Sequence, residues 1–135
     1  MDTVQLDMHT YSGPLFIDVD VWDKKKNRFK TGMLTFDTGA TVTTISKEVL
    51  HHLGYDVQNG KVQRITTASG IEYVREVVVD KIRLGDIEIE NVTAYAHNFP
   101  EEGFSTGVIG LNILSKFDIS LLFSRRIIEL TRISE

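Results

Sequence analysis

Apolar side chains recur at every second position in several stretches of the chain, a spacing typical of β-strands with two unlike faces. In residues 15–22, for example, Ile17, Val19 and Val21 alternate with Asp18 and Asp20. By this pattern we predict strands at residues 15–22, 29–36, 62–67, 71–79, 81–84, 87–89, 92–96, 119–123 and 127–133. The chain is therefore predicted to be mostly β.

Two short segments have helical features instead. Ser46 is a suitable N-cap for an amphipathic segment that ends at Gly54, a residue favoured just after a helix. Residues 111–117 (LNILSKF) form a second helix-like segment. Between the strands, residues 68–70 (ASG) and 85–86 (GD) have the glycine content of tight hairpin turns. We therefore expect one or two short helices and two hairpins.

Composition and length narrow the class of protein. A chain of 135 residues is long enough for one hydrophobic core, so we expect a single domain over residues 1–135. Hydrophobic residues at 41% and charged residues at 25% are ordinary for a globular protein. The net charge of −4 and the scattered basic residues argue against a nucleic-acid partner.

The chain contains no cysteine, which excludes disulfides, thiolate metal sites and a cysteine nucleophile, and which fits a reducing compartment. The first thirty residues lack the features of a secretion signal. No stretch approaches the roughly 18 apolar residues of a membrane span. We therefore expect a cytoplasmic protein without a membrane partner.

The candidate chemistry lies in the tetrapeptide Asp37-Thr38-Gly39-Ala40, which directly follows an apolar strand. A carboxylate in this position is costly to bury unless hydrogen-bond donors surround it. Gly39 has no Cβ, so its N–H can approach the carboxylate, and Thr38 offers a hydroxyl. Taken alone, the sequence Asp37-Thr38-Gly39 is also compatible with an ordinary aspartate at a strand-to-turn junction.

Two further features accompany this tetrapeptide. The β-branched run of residues 41–45 leads from it into the capped helix, and Val108-Ile109-Gly110 opens the second helix some seventy residues later. In this combination and order, the chain resembles the retropepsin-like aspartic peptidases, the single-domain relatives of pepsin. The resemblance extends from about Pro14 to Ile133 and is to the cellular and bacterial branch rather than strictly to the retroviral enzymes.

The resemblance implies a closed β-barrel of the acid-protease fold with a flap hairpin. It assigns catalysis to Asp37, Thr38 and Gly39, with the Asp activating a water molecule. Ala40, Val108, Ile109 and Gly110 are implied to support the site structurally, since the hydrophobic-hydrophobic-Gly segment passes beneath the catalytic loop. By order and spacing, Ala68, Ser69 and Gly70 are expected to form the substrate-binding tip of the flap.

Two positions depart from the retroviral pattern. Many retroviral proteases carry an acidic residue where Thr41 stands and an arginine where Leu111 stands, and that pair braces the dimer. Because both are missing together, no unpaired charge is left behind. The resemblance therefore does not carry the retroviral type of dimer contact over to this chain.

The chain has one Asp-Thr-Gly, whereas hydrolysis by this chemistry requires two carboxylates. A two-fold pair of chains supplies the second, so we predict an aspartic endopeptidase that is a homodimer acting on peptide or protein. The alternatives are a non-catalytic module of the same fold that dimerises or binds a peptide strand, and an unrelated β-barrel that binds a ligand. No cofactor and no metal are expected, because His51 and His52 are adjacent and lack a metal-binding motif.

Overall fold

Strands dominate the computed structural model, which describes residues 2–10, 13–98 and 106–134. The strands are β1 (Thr3–Asp7), β2 (His9–Thr10), β3 (Leu15–Asp23), β4 (Arg28–Phe36), β5 (Thr43–Ser46), β6 (Lys61–Thr67), β7 (Gly70–Leu84), β8 (Ile87–His97), β9 (Gly107–Ile109), β10 (Phe117–Leu122) and β11 (Ile127–Arg132). Helices α1 (Lys47–His52) and α2 (Leu111–Leu114) are short, and Phe123–Arg125 forms a 3-10 turn. The predicted mostly β chain with one or two short helices is confirmed. Within the described ranges, no helix is long and apolar enough to cross a membrane.

Six of the strands close into a barrel. They pair in the order β3, β4, β9, β5, β8 and β7, and β3 returns to pair with β7 through Asp20↔Arg83 and Val21↔Ile82. Strand β6 extends this sheet beyond β7, and β2 extends it beyond β3. A separate three-stranded sheet has the order β1-β11-β10. The closed barrel expected from the resemblance is therefore confirmed.

The alternation in β3 decides which side chains enter the core. Ile17 and Val19 are completely buried, whereas Asp18 between them is exposed. Asp20 points to the same face as Asp18, and its Oδ2 accepts a hydrogen bond from Arg83 Nε at 2.9 Å, which forms an ion pair. That pair joins the two strands at which the barrel closes, so the polar face of β3 also contributes to closure.

Both predicted tight hairpins are present. Thr67 pairs directly with Gly70, and Leu84 pairs directly with Ile87, so each turn contains two residues. The second hairpin joins β7 to β8 as two long strands, although the sequence pattern predicted each of them as two shorter ones. Polar residues interrupted the apolar pattern at Asp80 and at residues 90–91, but backbone pairing continues on both sides of the interruption.

Three further differences from the sequence prediction concern which segments form strands and where the second helix ends. Strands β1, β2 and β9 were not predicted. Strand β1 is stabilised by pairing with β11 at the far end of the chain, and β9 by pairing with β4 and β5. Helix α2 ends at Leu114 rather than at Phe117. Phe117 instead begins β10, because it pairs with Arg132 and its side chain is buried in the core.

Tyr55, just after α1, joins the helix to two strands of the barrel. Its hydroxyl donates to the Trp22 carbonyl at 2.8 Å and accepts from the Asp80 N–H at 3.3 Å. Burial raises the pKa of Tyr55 to about 12; the Asp80 N–H opposes this rise, and the Asp80 and Asp23 carboxylates add to it. The protonated hydroxyl is therefore the form that holds these strands together.

Candidate active site

Asp37 directly follows β4, and its backbone is held from below. Its N–H donates to the Ile109 carbonyl at 3.2 Å, and its own carbonyl accepts from the Ala40 N–H at 3.2 Å, which forms a turn. In the same turn the carboxylate atom Oδ1 accepts the Gly39 N–H at 2.8 Å. A Cβ at residue 39 would lie 3.0 Å from that oxygen, so glycine gives the carboxylate unhindered access to the N–H. Asp37 is half-buried, so its carboxylate lies at the boundary between the core and the surface.

Strand β9 closes the base of this loop. It pairs in parallel with β4, where Phe36 is opposite Ile109, and antiparallel with β5, where Thr44 is opposite Val108. A Cβ at Gly107 would lie only 2.2 Å from the Thr44 carbonyl oxygen, so the strands approach too closely for a side chain. The strands that enter and leave the Asp37 loop (residues 37–42) are therefore both fixed by the same three-residue strand.

Gly110 continues β9 directly beneath the loop. A Cβ there would lie 2.8 Å from the Ala40 carbonyl oxygen and 3.0 Å from that of Val42. The residues after it bond to the same loop: the Leu111 N–H donates to Ala40 O at 2.8 Å, and the Asn112 N–H to Thr41 O at 3.1 Å. The absence of a side chain at residue 110 thus lets two backbone segments touch, which is the contact that the sequence suggested.

Thr43 and Asn112 bond to each other beside Gly110, and the sequence analysis assigned a role to neither. Asn112 Oδ1 accepts from both the N–H and the hydroxyl of Thr43, at 2.8 Å each. The Thr43 hydroxyl in turn accepts the Gly110 N–H at 3.1 Å, and Asn112 Nδ2 donates to the Thr93 carbonyl at 2.8 Å. Because Thr43 is completely buried, these bonds satisfy polar groups that water does not reach. In the sequence, the only indication of these hydrogen bonds was that Asn112 is a polar residue within the apolar segment 108–114.

The structure brings together one part of the predicted site. Asp37, Gly39 and Ala40 lie against residues 108–110 through the bonds described above. Thr38 lies in the same turn and is exposed. Leu111, at one of the two positions that depart from the retroviral pattern, is 39% exposed.

Residues 68–70 lie apart from this cluster, at the tip of the β6–β7 hairpin. Ala68, Ser69 and Gly70 are all exposed. The Thr67 hydroxyl stabilises the turn by accepting the Ser69 N–H and donating to the Gly70 carbonyl, at 3.2 Å each. Gly70 has φ of +123°, a conformation that side-chain-bearing residues rarely adopt, and a Cβ there would meet nothing within 4 Å. The tip is therefore an exposed hairpin whose shape requires glycine.

The adjacent residues His51 and His52 are exposed in the last turn of α1. Within the described residues, no group of three or more histidine, cysteine, aspartate or glutamate side chains is placed to hold a metal ion. The carboxylate of Asp37 is thus the chemical group around which the glycines and backbone donors of the loop are arranged.

Comparison with known proteins agrees with this arrangement. Residues 19–113 match the model of an aspartyl protease family, a range that includes both the Asp37 loop and Gly110. The chain therefore belongs to this aspartyl protease family. No curated protein matches the chain.

A solved structure extends the comparison to the fold. The crystal structure of a retropepsin-like aspartic protease from Rickettsia conorii superposes with a TM-score of 0.68, covering 96% of this chain and 89% of that one. Sequence identity between the two is 20%, so the likeness is one of fold. The fold is that of the retropepsin-like proteases, as the sequence resemblance implied.

Replacement of Asn112 tests how the Asp37 loop is held. Asn112→Ala leaves the Thr43 N–H and the Thr93 carbonyl without their partner, so we expect the free energy of unfolding to fall by about 2 to 3 kcal/mol. Asn59→Ala is the matched control, because Asn59 is exposed and bonds only locally to Asp56. Urea unfolding measures both variants. Equal losses in the two would show that Asn112 does not brace the loop.

Proposed function

We propose that this protein is an aspartic endopeptidase whose active site forms between two copies of the chain. Asp37 from each copy supplies one carboxylate of a catalytic dyad, and the β6–β7 hairpin acts as the flap over a peptide substrate. The proposal extends the family membership to a particular reaction, a particular acid–base residue and a particular assembly.

The observation that carries the proposal is the setting of the Asp37 carboxylate. It is half-buried, it accepts the Gly39 N–H at 2.8 Å, and its loop is bonded from below to Ile109 and Leu111. A carboxylate held this firmly at the end of a barrel strand is oriented before substrate arrives, which general acid–base catalysis requires. An aspartate in an ordinary turn also accepts an N–H from two residues on, so the backbone bonds of this loop to Ile109 and Leu111 are what distinguish Asp37.

The number of carboxylates supports a dimer. The sequence contains one Asp-Thr-Gly, and the reaction needs a general base and a general acid at the same time. A two-fold axis beside the loop brings two copies of Asp37 face to face. Thr38 and Gly39 are exposed in the single chain, so they are accessible to a second copy.

In the proposed mechanism the two Asp37 carboxyl groups share one proton, because two like charges about 3 Å apart are not both ionised. The ionised carboxylate takes a proton from a water molecule, whose oxygen attacks the peptide carbonyl carbon. The protonated carboxyl donates to the carbonyl oxygen. When the tetrahedral intermediate collapses, the C–N bond breaks and the amine leaves with a proton from the dyad.

Replacement of Asp37 tests its assignment as the general acid and base. Asp37→Asn is nearly isosteric, and the new amide oxygen still accepts the Gly39 N–H, so we expect the fold to remain. Hydrolysis of denatured casein should fall by about 100-fold or more, because the group that moves the proton is lost. Asp86→Asn, in the exposed β7–β8 turn, is the control and should retain full activity. Comparable activity in the two variants would mean that Asp37 is not the acid–base residue. A wild-type protein that binds peptide without cleaving it would support the alternative of a non-catalytic module.

Mixed dimers test whether the site is shared. If wild-type and Asp37→Asn chains exchange fully, random pairing makes the fraction of wild-type dimers the square of the wild-type fraction. A mixture with half mutant chains should therefore retain about a quarter of the activity at constant total concentration, since a single Asp cannot serve as both acid and base. Mixing with Asp86→Asn chains should leave the activity unchanged. A linear fall to about one half would mean that each chain works alone.

The flap assignment is tested at Gly70. Gly70→Val places a β-branched side chain at φ +123°, and Gly13→Val is a matched control, since Gly13 has φ +115° and equally open surroundings. We expect both variants to lose about 1 to 2 kcal/mol of stability from backbone strain. Only Gly70→Val should also have a lower kcat/KM. We expect the decrease to be about tenfold, because about 1.4 kcal/mol of strain that opposes closure of the flap raises the activation barrier by that amount. Equal kinetics in the two variants would exclude this hairpin as the flap.

A further inference from the structure

One face of the β6–β7 hairpin points away from the barrel. Directly opposite residues of the two strands share a face, and three successive pairs on this side are exposed. On the other side Val74 is buried and the residues beside it are half-buried, so that side faces the rest of the chain. We call the exposed side the outer flap face, which consists of Val62, Arg64, Thr66, Ile71, Tyr73 and Arg75.

The outer flap face combines apolar surface with positive charge. Tyr73 is 69% exposed and Ile71 is 57% exposed. Arg64 lies opposite Tyr73, Arg75 lies opposite Val62, and the face contains no acidic residue. Tyrosine and arginine are enriched among the residues that contribute most to the affinity of protein interfaces. The composition of this face is therefore typical of a binding surface.

A groove continues this face onto helix α1. Tyr73 and Arg75 line a cleft together with Lys47 and Val57. Lys47 and Val57 also line a larger cleft of about 530 Å³ beside α1. A third cleft shares Val57 with the second and extends to Lys25. Because neighbouring clefts share lining residues, they form one continuous channel, which we call the basic groove.

The basic groove and the outer flap face carry positive charge, although the whole chain has a net charge of −4. Their basic residues are Lys25, Lys47, Arg64 and Arg75. The acidic residues that line the groove are Glu48 and Asp56, and the Asp56 carboxylate already accepts hydrogen bonds from Asn59. Among the described residues, no ion pair involves any of the four basic side chains. Their charge therefore attracts an acidic partner.

Arg75 is oriented where the outer flap face meets the groove. Its Nη1 donates to the Gly60 carbonyl at 3.0 Å, and the Gly60 N–H donates to the Val57 carbonyl at 3.0 Å. A guanidinium has five N–H donors, so Arg75 retains donors for a carboxylate, which it can bind through two parallel hydrogen bonds. Arg75 therefore supplies a fixed cationic contact at the centre of the surface.

We infer that the outer flap face and the basic groove bind an acidic, extended segment of the polypeptide substrate, outside the stretch that is cleaved. Its carboxylates pair with Arg64, Arg75 and Lys47, and its apolar side chains cover Ile71 and Tyr73. The inference rests on the proposed function, because it requires a polypeptide substrate and takes the hairpin as the flap.

The position of β6 makes a single substrate chain sufficient for both sites. Strand β6 is the last strand of its sheet, so its outer edge is open. A polypeptide that passes beneath the flap can continue around this edge and lie along the outer flap face. Binding at a distance from the cleaved bond stabilises the bound substrate and the transition state equally, so it lowers KM and leaves kcat unchanged. The surface thus selects substrates that contain acidic segments.

Direct binding tests the surface without peptidase activity. The probe is a fluorescein-labelled peptide of Glu-Glu-Leu-Ser repeats, added to the Asp37→Asn protein and followed by fluorescence anisotropy. We expect the dissociation constant to rise at least about tenfold in Arg64→Glu and in Lys47→Glu, because each reversal replaces attraction by repulsion. Glutamate suits the first turn of α1, where Lys47 lies, so the fold should remain.

Two controls accompany the binding test. Lys30→Glu makes the same change in net charge at an exposed position of β4 outside the groove, and it should bind the probe as the parent protein does. A peptide with lysine in place of each glutamate should not bind. Binding of the acidic probe that is equal in Lys30→Glu, Lys47→Glu and Arg64→Glu would overturn the assignment of this surface.

Kinetics test whether the bound segment belongs to a substrate. Succinylation of denatured casein converts its lysines to carboxylates, so we expect the wild-type protein to have a KM at least about threefold lower for succinylated than for unmodified casein, with kcat unchanged. Lys47→Glu should lose this preference and Lys30→Glu should keep it. A preference that persists in Lys47→Glu would place the recognition of acidic residues elsewhere and overturn the inference.

The outcomes separate this surface from the proposed function. Cleavage of casein by a protein that does not bind the acidic probe would overturn the surface and leave the Asp37 dyad standing. Binding of the probe by a wild-type protein that cleaves nothing would overturn the substrate assignment together with the proposed function. An oligonucleotide that displaces the probe and binds more tightly would assign the surface to nucleic acid and overturn the inference alone.

Discussion

The Asp37 loop is in position because Gly110 passes so close to its backbone that no side chain fits between them. The Cβ of any other residue would lie 2.8 Å from Ala40 O. That approach lets Leu111 and Asn112 donate to the loop and places the Gly110 N–H on the buried Thr43 hydroxyl. A larger residue at position 110 would separate the segments and break these bonds together. The orientation of the Asp37 carboxylate therefore depends on a residue that has no side chain.

Rigidity is unevenly distributed around Asp37, and the distribution suits its proposed task. Below the carboxylate, β9 pairs on both sides and the Thr43–Asn112 bonds satisfy the buried polar groups. No buried side-chain nitrogen or oxygen of the described residues lacks a hydrogen-bond partner. Above the carboxylate the turn is exposed, as is the tip of the β6–β7 hairpin. A fixed base and an accessible surface are what a site needs when a substrate and a second chain must both reach it.

The two departures from the retroviral pattern acquire a structural meaning. In place of a charged pair, Thr41 accepts a backbone bond from Asn112, and Leu111 presents an apolar surface. The Asp37 loop is held within the chain by neutral hydrogen bonds, and the charged pair that braces the dimer in many retroviral proteases has no counterpart at these two positions. Leu111 is 39% exposed, so an apolar side chain lies at the surface where the retroviral pattern has a charged one.

Local features of this protein were determined by the sequence alone. Period-two alternation marked β3, glycine marked both two-residue hairpins, and the Asp37 tetrapeptide after an apolar strand marked the candidate site, because each depends on residues adjacent in the chain. The tertiary structure decided what depends on distant partners. Strand β1 exists by pairing with β11, the barrel closes where β3 meets β7, and Asn112 braces Thr43 from 69 positions away. A polar side chain in an apolar segment has no evident partner until the fold brings one to it, so only the structure could identify the hydrogen bonds that hold the catalytic loop.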